Sequence, residues 1–253
     1  MTPNSFKQAL ADRRLQIGLW SSLCSPIVAD ILADAGFDWI VVDSEHAPND
    51  PHDIFAQLVA LDSRGAHPVV RVAWNDPVLI KRVMDVGARN ILVPMVENAE
   101  EAAAAVAACR YPPEGIRGVA MATRANRYGR TANYHQQANA QVCVLVQVET
   151  QRGLNNLAAI AAVDGVDGVF IGPSDLSAAL GYLGDARNPV VVETIKQALR
   201  SIEAEGKPGG ILTAVPEDAK AWIAQGFTFV AVGSDTGLVA KGSSALAASF
   251  KSD

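Results

Sequence analysis

Two carboxylates stand where chemistry is expected. Glu149 closes the apolar, Val-rich run Cys143-Val144-Leu145-Val146-Gln147-Val148, and Asp175 follows a second run, Gly168-Val169-Phe170-Ile171, in the turn Gly172-Pro173-Ser174-Asp175. Short apolar runs bounded by turn residues read as strands buried on both faces, the habit of parallel sheets. Alternate strand residues share a face, so Cys143, Leu145, Gln147 and Glu149 point the same way. A Gln and a Glu ending such a face are costly to bury without partners. Acids at consecutive strand ends, with Gln147 one layer below, point to a divalent cation held by oxygen ligands and shared with substrate, Mg²⁺ or Mn²⁺. Each acid also has a plainer reading, as a cap at a helix N-terminus, and Asp175 does precede Leu176-Ser177-Ala178-Ala179. No His pair or Cys ligand accompanies them, which argues against a structural zinc site.

Arg71 ends the run Pro68-Val69-Val70-Arg71 on the parity of Val69. It is either a structural partner for a nearby acid or a fixed cation for an enolate or carboxylate oxygen. His46 follows Asp43-Ser44-Glu45 just past another apolar run. A loop His alone is a solvated side chain, but at such a strand end its titration range suits a general base. The Gly172-Pro173-Ser174 turn offers backbone N–H groups to a small carboxylate, although an ordinary tight turn explains it too. Lys7, Lys81, Lys196, Lys207, Lys220, Lys241 and Lys251 fall in helices, at strand starts or near the tail. A Schiff-base nucleophile at a strand's C-terminal end is therefore not expected.

The elements that must position these groups recur along the chain. Ser25-Pro26, Asp50-Pro51 and Asp76-Pro77 open helices that Gly36, Gly65 and Gly87 close, and a strand follows each. Ser or Asp caps free N–H groups, Pro fits the first turn and Gly ends the helix. Apolar faces are expected from Ile27, Val28, Ile31 and Leu32, and from Ile54, Phe55, Leu58 and Val59. Eight strands are expected, near residues 17, 39, 68, 91, 143, 168, 209 and 228. Strict alternation makes them parallel, and eight in 253 residues favour one α/β domain over residues 1–253, a (β/α)8 TIM barrel, over an open sheet. No GxGxxG follows the first strand, which weakens a dinucleotide-binding alternative. Residues 111–140, with Arg117, Arg124, Arg127 and Arg130, lack this periodicity and read as an inserted loop beside the barrel mouth, at a subunit contact. Barrel enzymes work at the C-terminal ends of their strands, so Trp20, Asp43, Glu45, His46, Arg71, Gln147, Glu149, Ser174, Asp175, Leu212, Ser234 and Asp235 are expected to converge.

Composition bounds the partners. Hydrophobic residues make up 49%, charged residues 19%, and the net charge is −6 without a basic tract, which argues against nucleic acid and anionic membrane. Three cysteines without CxxC spacing suggest a reducing cytoplasm rather than a disulfide framework. Met1-Thr2-Pro3-Asn4-Ser5-Phe6-Lys7 has no apolar signal segment, and no run is long enough to span a bilayer, so a cytoplasmic protein is expected.

Taken together, Gly18-Leu19-Trp20, Asp38-Trp39-Ile40-Val41-Val42-Asp43-Ser44-Glu45-His46, Pro68-Val69-Val70-Arg71, Gln147-Val148-Glu149-Thr150 and Phe170-Ile171-Gly172-Pro173-Ser174-Asp175-Leu176-Ser177 resemble the HpcH/HpaI class II aldolases over nearly the whole chain. The resemblance implies a barrel of the phosphoenolpyruvate/pyruvate type. It also implies a divalent metal, Mg²⁺ or Mn²⁺, on Glu149 and Asp175, His46 as proton acceptor and Arg71 stabilising the transition state. Trp20, Gln147, Gly172, Pro173, Ser174, Asp175 and Leu212 are then substrate contacts, with Leu212 on the acceptor side. Many relatives carry Ala where this chain has Ser174, so its hydroxyl could alter donor preference. An Asp matching Asp85 is implied to raise the basicity of the His. Asp85 ends a helix running back from the mouth over roughly 15 Å, at 1.5 Å per residue. It is therefore expected from a neighbouring subunit, or else is a plain surface acid near Lys81 or Arg82. The family implies a homo-oligomer, a hexamer built as a trimer of dimers. The expected reaction is reversible cleavage of 4-hydroxy-2-oxo acids to pyruvate, or an analogue such as hydroxypyruvate, and an aldehyde. The alternatives are a CoA-ester lyase of the citrate or malyl-CoA type, using the 111–140 arginines for the CoA phosphates, and a non-catalytic metabolite-binding barrel.

Overall fold

The computed structural model describes residues 1–62 and 64–251. Its frame is a closed barrel of eight parallel strands in chain order: β1 (Gln16–Ser21), β2 (Trp39–Asp43), β3 (His67–Arg71), β4 (Asn90–Val93), β5 (Cys143–Val148), β6 (Gly168–Ile171), β7 (Gly209–Leu212) and β8 (Phe229–Ser234). β8 pairs back onto β1 and closes the sheet. Every strand lies where its apolar run predicts. The helix starts follow the expected chemistry: Ser25, Asp50, Asp76 and Asn188 accept backbone hydrogen bonds ahead of Pro26–Ala33, Pro51–Leu61, Pro77–Asp85 and Pro189–Ala204.

Strand alternation sorts the apolar residues into two layers. Trp39, Val41, Val69, Leu92, Leu145, Phe170 and Phe229 fill the interior, while Ile40, Val42, Val70, Ile91, Val144 and Val146 face the surrounding helices. The interior is crowded enough to require Gly18, where a Cβ would stand 2.2 Å from the Trp39 indole. The short helix Ser5–Ala11 closes the strand-start end, with Phe6 6.0 Å from Trp39 and 6.1 Å from His67, ring to ring. Polar side chains can therefore converge at the other end.

Two helix faces differ from expectation. Leu32, Ile54 and Leu58 are buried as expected, but Ile27, Ile31 and Val59 are exposed, and Ala29, Ala33, Gln57 and Leu61 take the remaining buried places. In Pro51–Leu61 the buried set is the i, i+3, i+4, i+7 series counted from Ile54, which admits Gln57 and turns Val59 outward.

Residues 111–140 also sit elsewhere than expected. They include a 3₁₀ turn, Arg124–Asn126, and the start of a helix, Tyr134–Gln141. They lie toward the strand-start end, not at the mouth. Arg124 donates to the carbonyls of Leu58 and Val86, 3.2 Å each, at the C-terminal ends of helices that run back from the mouth. A cation there meets free carbonyls and the negative end of the helix dipole. Arg117 is buried over the Tyr111 ring, 4.5 Å from its centroid, and pairs with Asp85 at 2.8 Å. Among the described residues the cysteines are free, and no helix is long and apolar enough to cross a membrane.

Candidate active site

The β2–β3 register sets Asp43 opposite Arg71. Arg71 Nε donates to Asp43 Oδ1 at 2.9 Å and Nη2 to Oδ2 at 2.7 Å, while Nη1 stands 2.6 Å from Glu45 Oε2. The Trp20 ring covers the guanidinium, 5.1 Å from its centroid. The planar fork is thus fixed on three sides. The two readings of Arg71 from sequence are not exclusive, because the ion pair is what holds the cation in place.

The loop after β2 carries the next two groups. Asp43 Oδ1 accepts from the backbone N–H of Glu45 at 3.0 Å and of His46 at 3.4 Å, and Ser44 Oγ donates to the Arg71 carbonyl at 2.6 Å. Burial pushes the Glu45 carboxyl up, against the opposing pull of Arg71 and His46. The His46 side chain is 63% exposed, with Nε2 3.9 Å from Glu45 Oε2. It is accessible to a molecule entering the mouth.

On the far side, Gln147 and Glu149 do share a face at the end of β5. Gln147 Nε2 donates a short hydrogen bond to Glu149 Oε2, and the Met95 backbone N–H donates to Oε1 at 3.0 Å. Burial is the main reason the Glu149 carboxyl is pushed up to about 7; these two bonds oppose the shift, and the charges of Glu45 and Asp175 add to it. Capping does not explain Glu149, since Thr150 accepts the N–H of Gly153 at the start of Gln151–Asn155. No side-chain cap forms at the start of Pro173–Ala179 either, where Asp175 lies exposed in the first turn. Gly172 is required beside Glu149: a Cβ there would lie 2.3 Å from Oε2 and 2.9 Å from Gln147 Nε2.

These residues fit a hard divalent cation. Glu149 and Asp175 couple electrostatically, and with Nε2 used on Glu149, Gln147 Oε1 is buried without a hydrogen-bond partner. Such an orphan acceptor in a carboxylate site suits a metal shell or its water. Among the described residues no group of three or more His, Cys, Asp or Glu forms a ready-made cage. The two carboxylates and the Gln147 oxygen would supply part of a cation's oxygen shell and leave the rest to other oxygen ligands such as water.

Pro173, Ser174 and Leu212 line an adjoining cleft of about 420 Å³, with Thr213, Ser234 and an Arg187–Asp218 ion pair in its walls. Asp85 is not part of this mouth, since it lies at the end of Pro77–Asp85 in contact with Arg117. Lys7 and Lys207 bond the Val142 and Val166 carbonyls beside strand starts. Sequence reasoning named Asp43 and Glu45 as strand-end residues but not as the clamp on Arg71. It missed Asn49 and Gln57 behind them, and the signal for Gln57 was its place in the i, i+3, i+4 series of its helix.

Comparison with known proteins places the chain among its relatives. The HpcH/HpaI aldolase/citrate lyase family model matches residues 16–242. A 5-keto-4-deoxy-D-glucarate aldolase from Enterobacter sp. (strain 638) is 53% identical over 249 residues, 98% of this chain and 97% of the relative. The crystal structure of an HpcH/HpaI aldolase/citrate lyase family protein from Burkholderia cenocepacia J2315 superposes with a TM-score of 0.95 at 40% identity, covering 98% of this chain and 100% of that one. An HpcH/HpaI aldolase from Desulfitobacterium hafniense DCB-2 gives 0.90 at 26% identity, covering 98% and 96%. A barrel closed in chain order, an Arg clamped at its mouth and matches of this extent lead to one assignment: the chain belongs to the HpcH/HpaI aldolase/citrate lyase family and is a carbon–carbon lyase.

Proposed function

We propose that this protein reversibly cleaves 4-hydroxy-2-oxo acids to pyruvate, or a close analogue such as hydroxypyruvate, and an aldehyde. The substrate named for the 53%-identical relative supports the class, because 5-keto-4-deoxy-glucarate numbered from its keto end is a 4-hydroxy-2-oxo acid. Its cleavage would leave a hydroxylated, carboxylated aldehyde, and the hydroxyls of Ser174, Thr213 and Ser234 in the adjoining cleft suit such a fragment. Glu149 and Asp175 would hold a divalent cation, Mg²⁺ or Mn²⁺, which would supply Lewis-acid polarisation of the substrate ketone.

The protein's own groups do the rest. His46 accepts the proton of the C4 hydroxyl as the C3–C4 bond breaks. Arg71, fixed by Asp43, Glu45 and Trp20, stabilises the negative oxygen of the enolate that remains. Gln147 sets the Glu149 carboxylate. The backbone N–H groups of the Gly172-Pro173-Ser174-Asp175 turn are available to the oxo-acid carboxylate.

The observation that carries this reading is the clamped Arg71 facing a mouth with a buried carboxylate pushed up to about 7. Asp85 completes the base from a neighbouring subunit in a homo-oligomer, a hexamer by family likeness. Its position at the helix end beside Arg117 supports this, as do the exposed apolar side chains Ile116, Val119, Met121, Leu238, Val239 and Leu246. The CoA-ester alternative loses ground because Arg117 is buried and Arg124 is occupied by helix ends far from the mouth. The test is a panel of 4-hydroxy-2-oxo acids with each divalent metal in turn, pyruvate being followed. Metal-dependent pyruvate release supports the reading; cleavage that survives full chelation, or none with any oxo acid, overturns it.

A further inference from the structure

A chain of buried amides runs from the barrel wall to the loop that carries Glu45 and His46. Gln57 lies on the barrel-facing side of Pro51–Leu61 between Ile54 and Leu61, and is 0% exposed. Burying a primary amide among aliphatic side chains is unfavourable unless its hydrogen bonds are remade. Gln57 Nε2 donates to Asn49 Oδ1 at 2.7 Å and to the Asp53 carbonyl at 3.2 Å. Ser21 Oγ, at the end of β1, stands 3.4 Å from Gln57 Oε1. Asn49, itself buried, turns its Nδ2 onto the Asp43 carbonyl oxygen at 2.5 Å.

The direction of this relay is fixed by chemistry. Asn49 must accept with its oxygen from Gln57 in order to keep its NH₂ for Asp43, so a flip of Asn49 breaks both links and a flip of Gln57 breaks the first. The Asp43 carbonyl is thereby held from one side, while the Asp43 carboxylate holds the N–H groups of Glu45 and His46 from the other. The segment from Asp43 to Asn49 becomes a closed, hydrogen-bonded loop whose two ends are tied to one residue. That residue also clamps Arg71.

We propose that Gln57 and Asn49 are positioning residues for this reaction. They touch no substrate atom, and they set the placement of His46 and Glu45 through the Asp43 carbonyl. This rests on the retro-aldol reading above, in which His46 is the base. Placement of a base affects the chemical step and leaves substrate binding nearly intact, and a displacement near 1 Å costs up to about 100-fold in rate.

The experiment compares the full-length protein with Gln57→Met, Asn49→Ala, Asn49→Asp and the Gln57→Met/Asn49→Ala pair, reading kcat, KM for the oxo acid, Mn²⁺ affinity by calorimetry and Tm. Gln57→Met keeps the volume but cannot donate. Asn49→Asp keeps an acceptor for Gln57 but cannot donate to Asp43, so it isolates the second link. The expected result for each folded single variant is a fall in kcat of about 10- to 100-fold, with KM and Mn²⁺ affinity within about 3-fold of the parent. The pair is expected to be no slower than the slower single variant, because one relay broken twice is still one break. Single variants with parental kcat, or losses that multiply in the pair, would overturn the inference. If Gln57→Met does not fold, the more peripheral Asn49→Asp decides by the same criterion. A parent enzyme inactive on every oxo acid would instead remove the retro-aldol reading, so the two failures are distinguishable.

Discussion

Asp43 and Arg71 face each other across the β2–β3 register and are joined by two parallel hydrogen bonds, 2.9 and 2.7 Å long, at 1% and 5% exposure. A buried pair of this kind is a weak source of net stability but a strong constraint, because removing one partner leaves the other charged and unsatisfied. Asp43→Asn is expected to destabilise the protein by about 3 kcal/mol in urea titrations. Arg71→Ala is expected to lower kcat by about 100- to 1000-fold, the range for loss of one oxyanion donor. Arg71→Lys should recover little of this, since an ammonium cannot reproduce the two-point contact. Parental turnover in Arg71→Ala would remove its assigned role.

Metal removal is the second test. Dialysis against a chelator should abolish oxo-acid cleavage, and Mn²⁺ or Mg²⁺ should restore it. Glu149→Gln and Asp175→Asn should each weaken Mn²⁺ binding by more than the roughly 10- to 100-fold typical of changes outside the ligand set. Titration calorimetry of the two variants checks this without reference to turnover.

A third expectation follows from the crowding at Gly172, whose missing Cβ leaves room for the Glu149 carboxylate. Gly172→Ala should push that carboxylate off its Gln147 and Met95 contacts. The cost in stability should be about 1–3 kcal/mol, as for other overpacked sites. Mn²⁺ affinity should fall along with kcat, measured by calorimetry and by pyruvate release.

The raised Glu149 carboxyl predicts an unusual pH profile for the metal-free chain. Its folded value of about 7 lies above the ordinary 4.5, so the folded state holds this proton more tightly than the unfolded state. The associated stability is fully present below about pH 4.5 and is lost as pH rises through about 7, a loss of about 3 kcal/mol by pH 8. Urea unfolding in chelator should show that decline from pH 5 to 8. Glu149→Gln, which cannot ionise, should lack this component and be the more stable of the two at pH 8. For the same reason, metal binding should displace a proton and weaken as pH falls below about 7.

Asp85 offers a test of assembly. A mixture of His46→Asn and Asp85→Ala chains, unfolded together and refolded, should regain activity that neither has alone. In a random mixture about a quarter of shared sites combine an intact His46 with an intact Asp85. No recovery would place Asp85 outside the site.

Much of this was written in the chain. Apolar runs a few residues long, set off by Pro at helix starts and Gly after helix ends, determine eight strands and the helices between them, because cap and turn chemistry is local. Strand parity also brought Gln147 beside Glu149 and Arg71 into line with Val69. Local pattern could not decide which side of a helix the barrel would cover. Ile31 and Val59 are apolar yet face outward, while Gln57 lies inside, because burial depends on how each helix rests on the sheet. Nor could it place residues 111–140, whose Arg124 is drawn to helix C-termini that form only once the barrel closes. The pairing of Asp43 with Arg71 and the relay from Gln57 through Asn49 join residues from neighbouring strands and the helix behind them. Only the closed barrel brings those atoms within hydrogen-bonding distance.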